Sequence, residues 1–114
     1  MDILEEERSG VLLVTPMGRV DSNTAGELER KLIGHIDRGS RRLVIDMSGV
    51  DYMSSAGLRV MLLAAKRLRE GGALVLCGMG ESVRQIFELA GFLPIFAIEA
   101  TRDLALARLA GEGR

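Results

Sequence analysis

The chain has 114 residues, 47% of them hydrophobic and 27% charged, which suits one compact domain with a single core and excludes a disordered chain. Fifteen basic residues against sixteen acidic ones leave a formal net charge of -1, so bulk electrostatics draws it neither to nucleic acid nor to an anionic membrane. A single cysteine, Cys77, excludes an internal disulfide framework and suits a reducing compartment.

No apolar stretch approaches the ~20 residues that span a bilayer, and the acidic start MDILEEERSG lacks the basic flank and apolar core of a secretory signal, so a cytoplasmic protein is expected. Residues 2–7 and 11–17, separated by Arg8-Ser9-Gly10, are predicted to pair as a β-hairpin, with a positive φ at Gly10. Glu5, Glu6 and Glu7 then form a solvated, charged sheet edge that discourages pairing with other molecules.

Next, Ala25, Leu28, Leu32 and Ile36 fall at spacings of three and four and define one face of a helix. Thr24 and Glu27 are placed for a capping box, and Gly39 for its stop. Residues 43–47, LVIDM, form an apolar run with β-branched members, as expected of a central strand covered on both faces. A second helix runs from Ser55 to Glu70 and ends at Gly71-Gly72. Beyond it come a strand over 73–77, a helix over 82–91 stopped by Gly91, a short strand over 95–98 and a last helix over 101–110 capped by Thr101. The alternation predicts an α/β fold: a mostly parallel sheet of about five strands with an antiparallel N-terminal hairpin and about four helices. A single domain over residues 1–110 is expected, with residues 111–114 as a flexible tail.

Phosphate-binding GxxxxGK[ST], dinucleotide-binding GxGxxG and nucleophile-elbow GxSxG motifs are all absent. His35 and Cys77 are the only residues of their kinds, which leaves no spacing for a metal site. His35, one residue off the apolar face of the first helix, reads as a boundary side chain and Cys77 as a buried inert thiol. Phe87, Phe92 and Phe96 read as core.

YMSSAGLR, residues 52–59, places two hydroxyls and a glycine at a strand-to-helix junction. Ser54 can cap the second helix with Ser55 as a bystander. Capping alone leaves Gly57 unexplained, because glycine in a helix costs about 0.8–1.0 kcal/mol relative to alanine. Alternatively, Ser55 is phosphorylated: the helix N-terminus favours an anion, and Gly57 removes side-chain bulk from its approach. An enzyme using Ser55 as nucleophile would need a base and an oxyanion site that the sequence does not supply.

DMSGVDYMSSAGLRVML, residues 46–62, resembles the signature of the anti-sigma factor antagonist family, the bacterial STAS domains. GRVDSNTAGELE and ESVRQIFELAGFLPIFAI extend the likeness over nearly the whole chain. The resemblance implies the STAS fold and places the family's phosphorylated serine on Ser55, with Ser54 as a competing acceptor. It implies a phosphorylation loop and partner-binding surface made by Asp21, Met53, Ser54, Ala56, Gly57, Leu58 and Arg59. Aspartate is common in the family where Ser54 stands, and Ser or Thr where Ala56 stands.

The same resemblance implies a partner-switching protein, monomeric or weakly dimeric, with no catalysis, cofactor or metal of its own. The unmodified form would bind an anti-sigma factor of histidine-kinase-like ATPase fold that is also a serine kinase, freeing the sigma factor. Phosphorylation would abolish binding and a serine phosphatase would restore it. The other use of STAS domains, as a non-switching scaffold in a lipid-transport, transporter or sensory complex, is the alternative.

Overall fold

The computed structural model describes residues 1–112 of the chain. The hairpin forms as expected: β1 (Asp2–Arg8) runs antiparallel to β2 (Val11–Val20). Its two-residue loop has φ 52° at Ser9 and 80° at Gly10, the sign of φ that a twist-matched type I′ hairpin turn requires at both positions.

After β2 come α1 (Ala25–Asp37), β3 (Arg42–Asp46), β4 (Val50–Met53), α2 (Ser55–Arg67), β5 (Ala73–Cys77), α3 (Glu81–Leu89), β6 (Ala97–Glu99) and α4 (Arg102–Glu112). The sheet order is β1-β2-β3-β5-β6, parallel except for the hairpin, with β4 as a sixth strand on β2. β4 is the element the sequence pattern missed. Residues 95–98, expected as a strand, divide into the end of a 3-10 turn over Leu93–Ile95 and the start of β6, because Pro94 fits the turn and has no N–H to give to a sheet. α4 continues to Glu112, into the expected tail, and residues 113–114 lie outside the described residues.

β2 is long enough to serve two neighbours. Its first half pairs with β3, Leu12 to Val14 opposite Leu43 to Ile45, and its second half pairs with β4, Gly18 and Val20 opposite Val50 and Met53. The register shifts between Gly18 and Arg19, and Gly18 takes φ 96° there, a conformation that other residues resist. α1 and α3 both stop in Schellman turns: Ser40 N–H donates to His35 O (3.0 Å) and Phe92 N–H to Phe87 O (2.8 Å).

The two sheet faces are covered unequally. Leu28 and Leu32 of α1, Met61 and Ala64 of α2 and Phe87 of α3 share the larger core with Leu43 and Ile45. Among the described residues the other face carries α4 alone, whose Ala105 and Leu109 bury Val11, Leu13, Val44, Val75 and Cys77. β3 is thus covered on both sides, as its apolar run requires. Phe87 meets Phe92 and Phe96 edge to face, and the three rings lie at centroid separations of 5.7 to 6.5 Å. Burial pushes the Cys77 thiol up to about 11, which leaves it protonated and inert at neutral pH.

The capping box does not form. Thr24 already has helical backbone angles and turns its hydroxyl back to donate to Arg19 O (2.8 Å), while Glu27 takes the N-terminal amine at 3.3 Å. Glu5 is also more than a solvated edge charge, since it bonds His35 Nε2 and reaches Lys31 Nζ at 3.5 Å, tying β1 to α1.

One buried carboxylate holds the two faces in register. Asp46, 5% exposed at the end of β3, receives Arg102 Nη2 at 2.8 Å and Nε at 3.0 Å, and its other oxygen accepts Ser48 N–H at 3.0 Å. Arg102 Nη2 also donates to buried Thr15 (3.3 Å), so the first residue of α4 is tied to β2, β3 and the turn leading into β4. Burial pushes the Asp46 carboxyl up, but the Ser48 and Arg102 bonds outweigh it and hold the group below the usual range.

A carboxyl lowered in the folded state adds stability above its unfolded value of about 3.9 and loses it as pH falls through the folded value. Asp46→Asn is expected to cost about 1–2 kcal/mol at neutral pH, less than a fully buried pair would cost, because the Arg102 side chain is 36% exposed. The variant should also lose less stability on acidification than the parent. Urea denaturation at neutral pH and near pH 3 checks both, and parallel acid losses would contradict the assignment.

Candidate functional site at the β4 to α2 junction

The pairing of β2 with β4 brings two distant stretches together at the carboxyl ends of their strands. Val20 lies opposite Met53, and Ser54 N–H donates to Val20 O at 2.8 Å, which pins the start of α2 beside Asp21. Arg19 links the two strands through side chains: its guanidinium lies 4.2 Å from the centroid of the Tyr52 ring and its Nε 3.6 Å from Asp21 Oδ2.

Asp21 organises its own turn. Its Oδ1 accepts Asn23 N–H at 2.9 Å and its carbonyl accepts Ala25 N–H at 2.8 Å, so Asp21 takes the role expected of Thr24 in opening α1. The Asn23 N–H, with Thr24 and Arg19, lowers the Asp21 carboxyl below its ordinary value. It therefore stands as a carboxylate beside the junction at neutral pH.

The two serines differ. Ser54 has extended angles (φ -90°, ψ 175°) and its Oγ accepts Gly57 N–H at 3.4 Å, the N-cap arrangement expected of it. Ser55 is the first residue of α2, is exposed, and its hydroxyl has no hydrogen-bond partner among the described residues. The first turn of α2 holds no acidic residue, so the positive end of the helix is not neutralised from within.

Gly57 serves a different purpose from the one its position suggested. It faces inward, and a Cβ there would stand 2.7 Å from Val20 Cγ1 and closer still to the Met53 sulfur. The absent side chain allows α2 to approach β2 and β4, not a ligand to approach α2. Met53 and Leu58, at 1% and 7% exposure, are also interior and support the surface from beneath. Ser55 and Arg59 face solvent, with Ser54, Ala56 and Asp21 half-buried around them.

His35, on α1, is engaged by Glu5, and no group of three or more His, Cys, Asp or Glu that could hold a metal is found among the described residues. No helix among them is long and apolar enough to cross a membrane.

The Arg19–Tyr52 contact and the true reason for Gly57 escaped sequence reasoning, because both depend on the unrecognised strand β4. A signal did exist: Val50 and Met53, apolar ends on either side of Asp51 and Tyr52, match the buried-exposed-exposed-buried pattern of that strand.

Gly57→Ala is expected to cost about 1–3 kcal/mol through overpacking. Ser54→Ala should cost about 1 kcal/mol as a lost cap, and Ser55→Ala should stay within about 0.5 kcal/mol as an exposed change. Thermal and urea unfolding of the three variants checks the order, and a Gly57→Ala protein as stable as the parent would contradict the packing assignment.

The STAS domain family model matches residues 2–105. BtrV of Bordetella bronchiseptica, which bears the name of a candidate anti-sigma factor antagonist, is 44% identical over 108 residues, covering 94% of this chain and 93% of its own. The anti-sigma-B factor antagonist of Bacillus subtilis is 30% identical over 104 residues, covering 90% of this chain and 93% of its own. The crystal structure of an anti-sigma factor antagonist from Mycobacterium paratuberculosis has a TM-score of 0.88 and 28% identity, over 94% of this chain and 92% of that one. With the hairpin, the mostly parallel sheet and the serine-bearing junction in place, the chain belongs to the STAS domain family, among its anti-sigma factor antagonists, which are non-catalytic regulatory domains.

Proposed function

We propose that this protein is a cytoplasmic partner switch whose docking surface centres on Ser55 and is turned off by phosphorylation there. The observation that carries this reading is the division of labour between the two serines: the Ser54 hydroxyl is committed to the helix cap, whereas the Ser55 hydroxyl is exposed and has no hydrogen-bond partner among the described residues. Ser55 is therefore the acceptor and Ser54 the residue that shapes the loop. The names of the relatives point to the partner: an anti-sigma factor, here one with a histidine-kinase-like ATPase fold that also acts as the kinase.

In the modifying step the kinase transfers the terminal phosphoryl group of ATP to Ser55 Oγ. An O–P bond forms, the bond to ADP breaks and the serine proton is released. ATP and magnesium belong to the kinase, and this chain supplies the hydroxyl and the docking surface. A serine phosphatase reverses the change by hydrolysis.

The modification brings about -1.5 to -2 charges to a helix start that holds no acid in its first turn, so the domain itself accommodates the phosphate. A partner surface shaped for a neutral hydroxyl does not. Burying the charge there costs on the order of 2–5 kcal/mol by analogy with unpaired interfacial charges. At about 1.4 kcal/mol per tenfold this weakens binding by roughly 30-fold to several thousand-fold. Asp21, ionised and half-buried beside the junction, adds like-charge repulsion against a phosphate turned inward.

Incubation with the cognate kinase and ATP should add one phosphate, located at Ser55 by mass spectrometry. Ser55→Ala should block the reaction and keep binding to the anti-sigma factor, while Ser55→Asp should weaken binding by about tenfold or more. Phosphate found only on another residue would reject the acceptor, and full affinity of Ser55→Asp would favour a permanently occupied scaffold. Arg59, exposed one turn beyond Ser55, is assigned a contact with the partner or the phosphate. Arg59→Glu should therefore change affinity or phosphorylation rate, and a protein unchanged in both would remove that role.

A further inference from the structure

At the end of the sheet opposite Ser55, where β2 and β3 begin, the β1–β2 turn and the α1–β3 connection border an open-mouthed cavity of about 410 Å³. That volume falls within the ~300–1,000 Å³ usual for small-molecule sites. Arg38, Arg41 and Arg42 line it, with Ser40 between them and Glu7 as the one carboxylate in the lining.

None of these guanidinium groups has a carboxylate partner among the described residues. Arg38 Nη2 reaches only His35 Nδ1 (3.4 Å), Arg41 Nη1 only the Ser40 carbonyl (3.4 Å), and the Ser40 hydroxyl has no hydrogen-bond partner among those residues. Arg42 is half-buried and fixed, because its Nη1 donates to Leu109 O at 3.2 Å and its Nη2 lies where a Cβ on Gly10 would meet it at 2.8 Å. The lining therefore holds three positive charges against one negative, and each guanidinium keeps N–H donors beyond the single bond it makes. Such forks match the oxygens of phosphate two at a time, and bringing like charges together in one cavity costs repulsion that a bound anion removes.

We propose that this cavity binds a small soluble anion bearing phosphate groups and at least two negative charges. Arg42 is the fixed donor, and Arg38 and Arg41 close on the ligand from the rim. The site lies at the opposite strand ends from Ser55, so an occupant does not compete directly for the docking surface.

The test is a titration of the full-length protein with inorganic pyrophosphate at low ionic strength, monitored by amide NMR. Saturable shifts confined to residues 7–12 and 38–42, with a Kd below about 1 mM, are expected. The double variant Arg38→Ala/Arg41→Ala, which spares the anchoring Arg42, should raise the Kd at least about tenfold and leave the rest of the spectrum unchanged. Arg69→Ala, remote from the cavity lining, should leave the Kd unaltered. Shifts that fail to saturate by about 10 mM, shifts spread over the other surface arginines, or a double variant within about twofold of the parent would each overturn the proposal. So would binding to anionic phospholipid vesicles without binding to pyrophosphate.

Discussion

The site depends on how closely α2 lies against the paired ends of β2 and β4. Gly57 permits that approach: any side chain there would occupy space held by Val20 and Met53. With the helix so seated, Ser54 bonds both Val20 O and Gly57 N–H, and the next residue, Ser55, is placed at the surface with its hydroxyl unpartnered among the described residues. A bulkier residue at position 57 would shift the helix start and change what a partner meets. The proposed docking surface thus rests on an interior contact between a glycine, a valine and a methionine.

Two further constraints converge on the same place. β4 reaches β2 through the turn that Asp46 braces at Ser48, and Asp46 is itself held by Arg102 from the opposite face of the sheet. The register shift after Gly18 then lets the last residues of β2 meet β4. Through the Asp46 carboxylate α4, on the thin face, is tied to the turn that leads into β4. Such bracing suits the proposed switch, in which a phosphate added to a helix end would change the electrostatics a partner meets and leave the chain fold as it is.

Much of this was legible in the sequence, because the long elements declare themselves by periodicity. The α1 stripe of Ala25, Leu28, Leu32 and Ile36 is buried as its spacing requires, and Gly39 and Gly91 stop their helices. Ser54 caps α2 as expected. The failures were short-range or long-range. β4 has only four residues and makes sense only against β2, and Thr24 lost its capping role to Asp21, which no local rule separates from it. The purpose of Gly57 is not legible locally, because an inward-facing glycine and one that admits a ligand look alike in sequence. Asp46 was the informative oddity passed over: a charge at the end of an apolar strand needs a partner, and Arg102 lies 56 positions away.

Modification of Ser55, on this view, alters the surface and not the fold. The most direct test compares amide NMR spectra of the unmodified protein and the protein phosphorylated by its kinase. The rigid junction predicts shift changes confined to residues 19–21 and 52–59, with the β3, β5 and α4 resonances in place. Changes spread through β5 and α4, or loss of the Gly57 amide signal expected for an intact cap, would show that phosphorylation rearranges the domain and would contradict a switch built on surface charge alone.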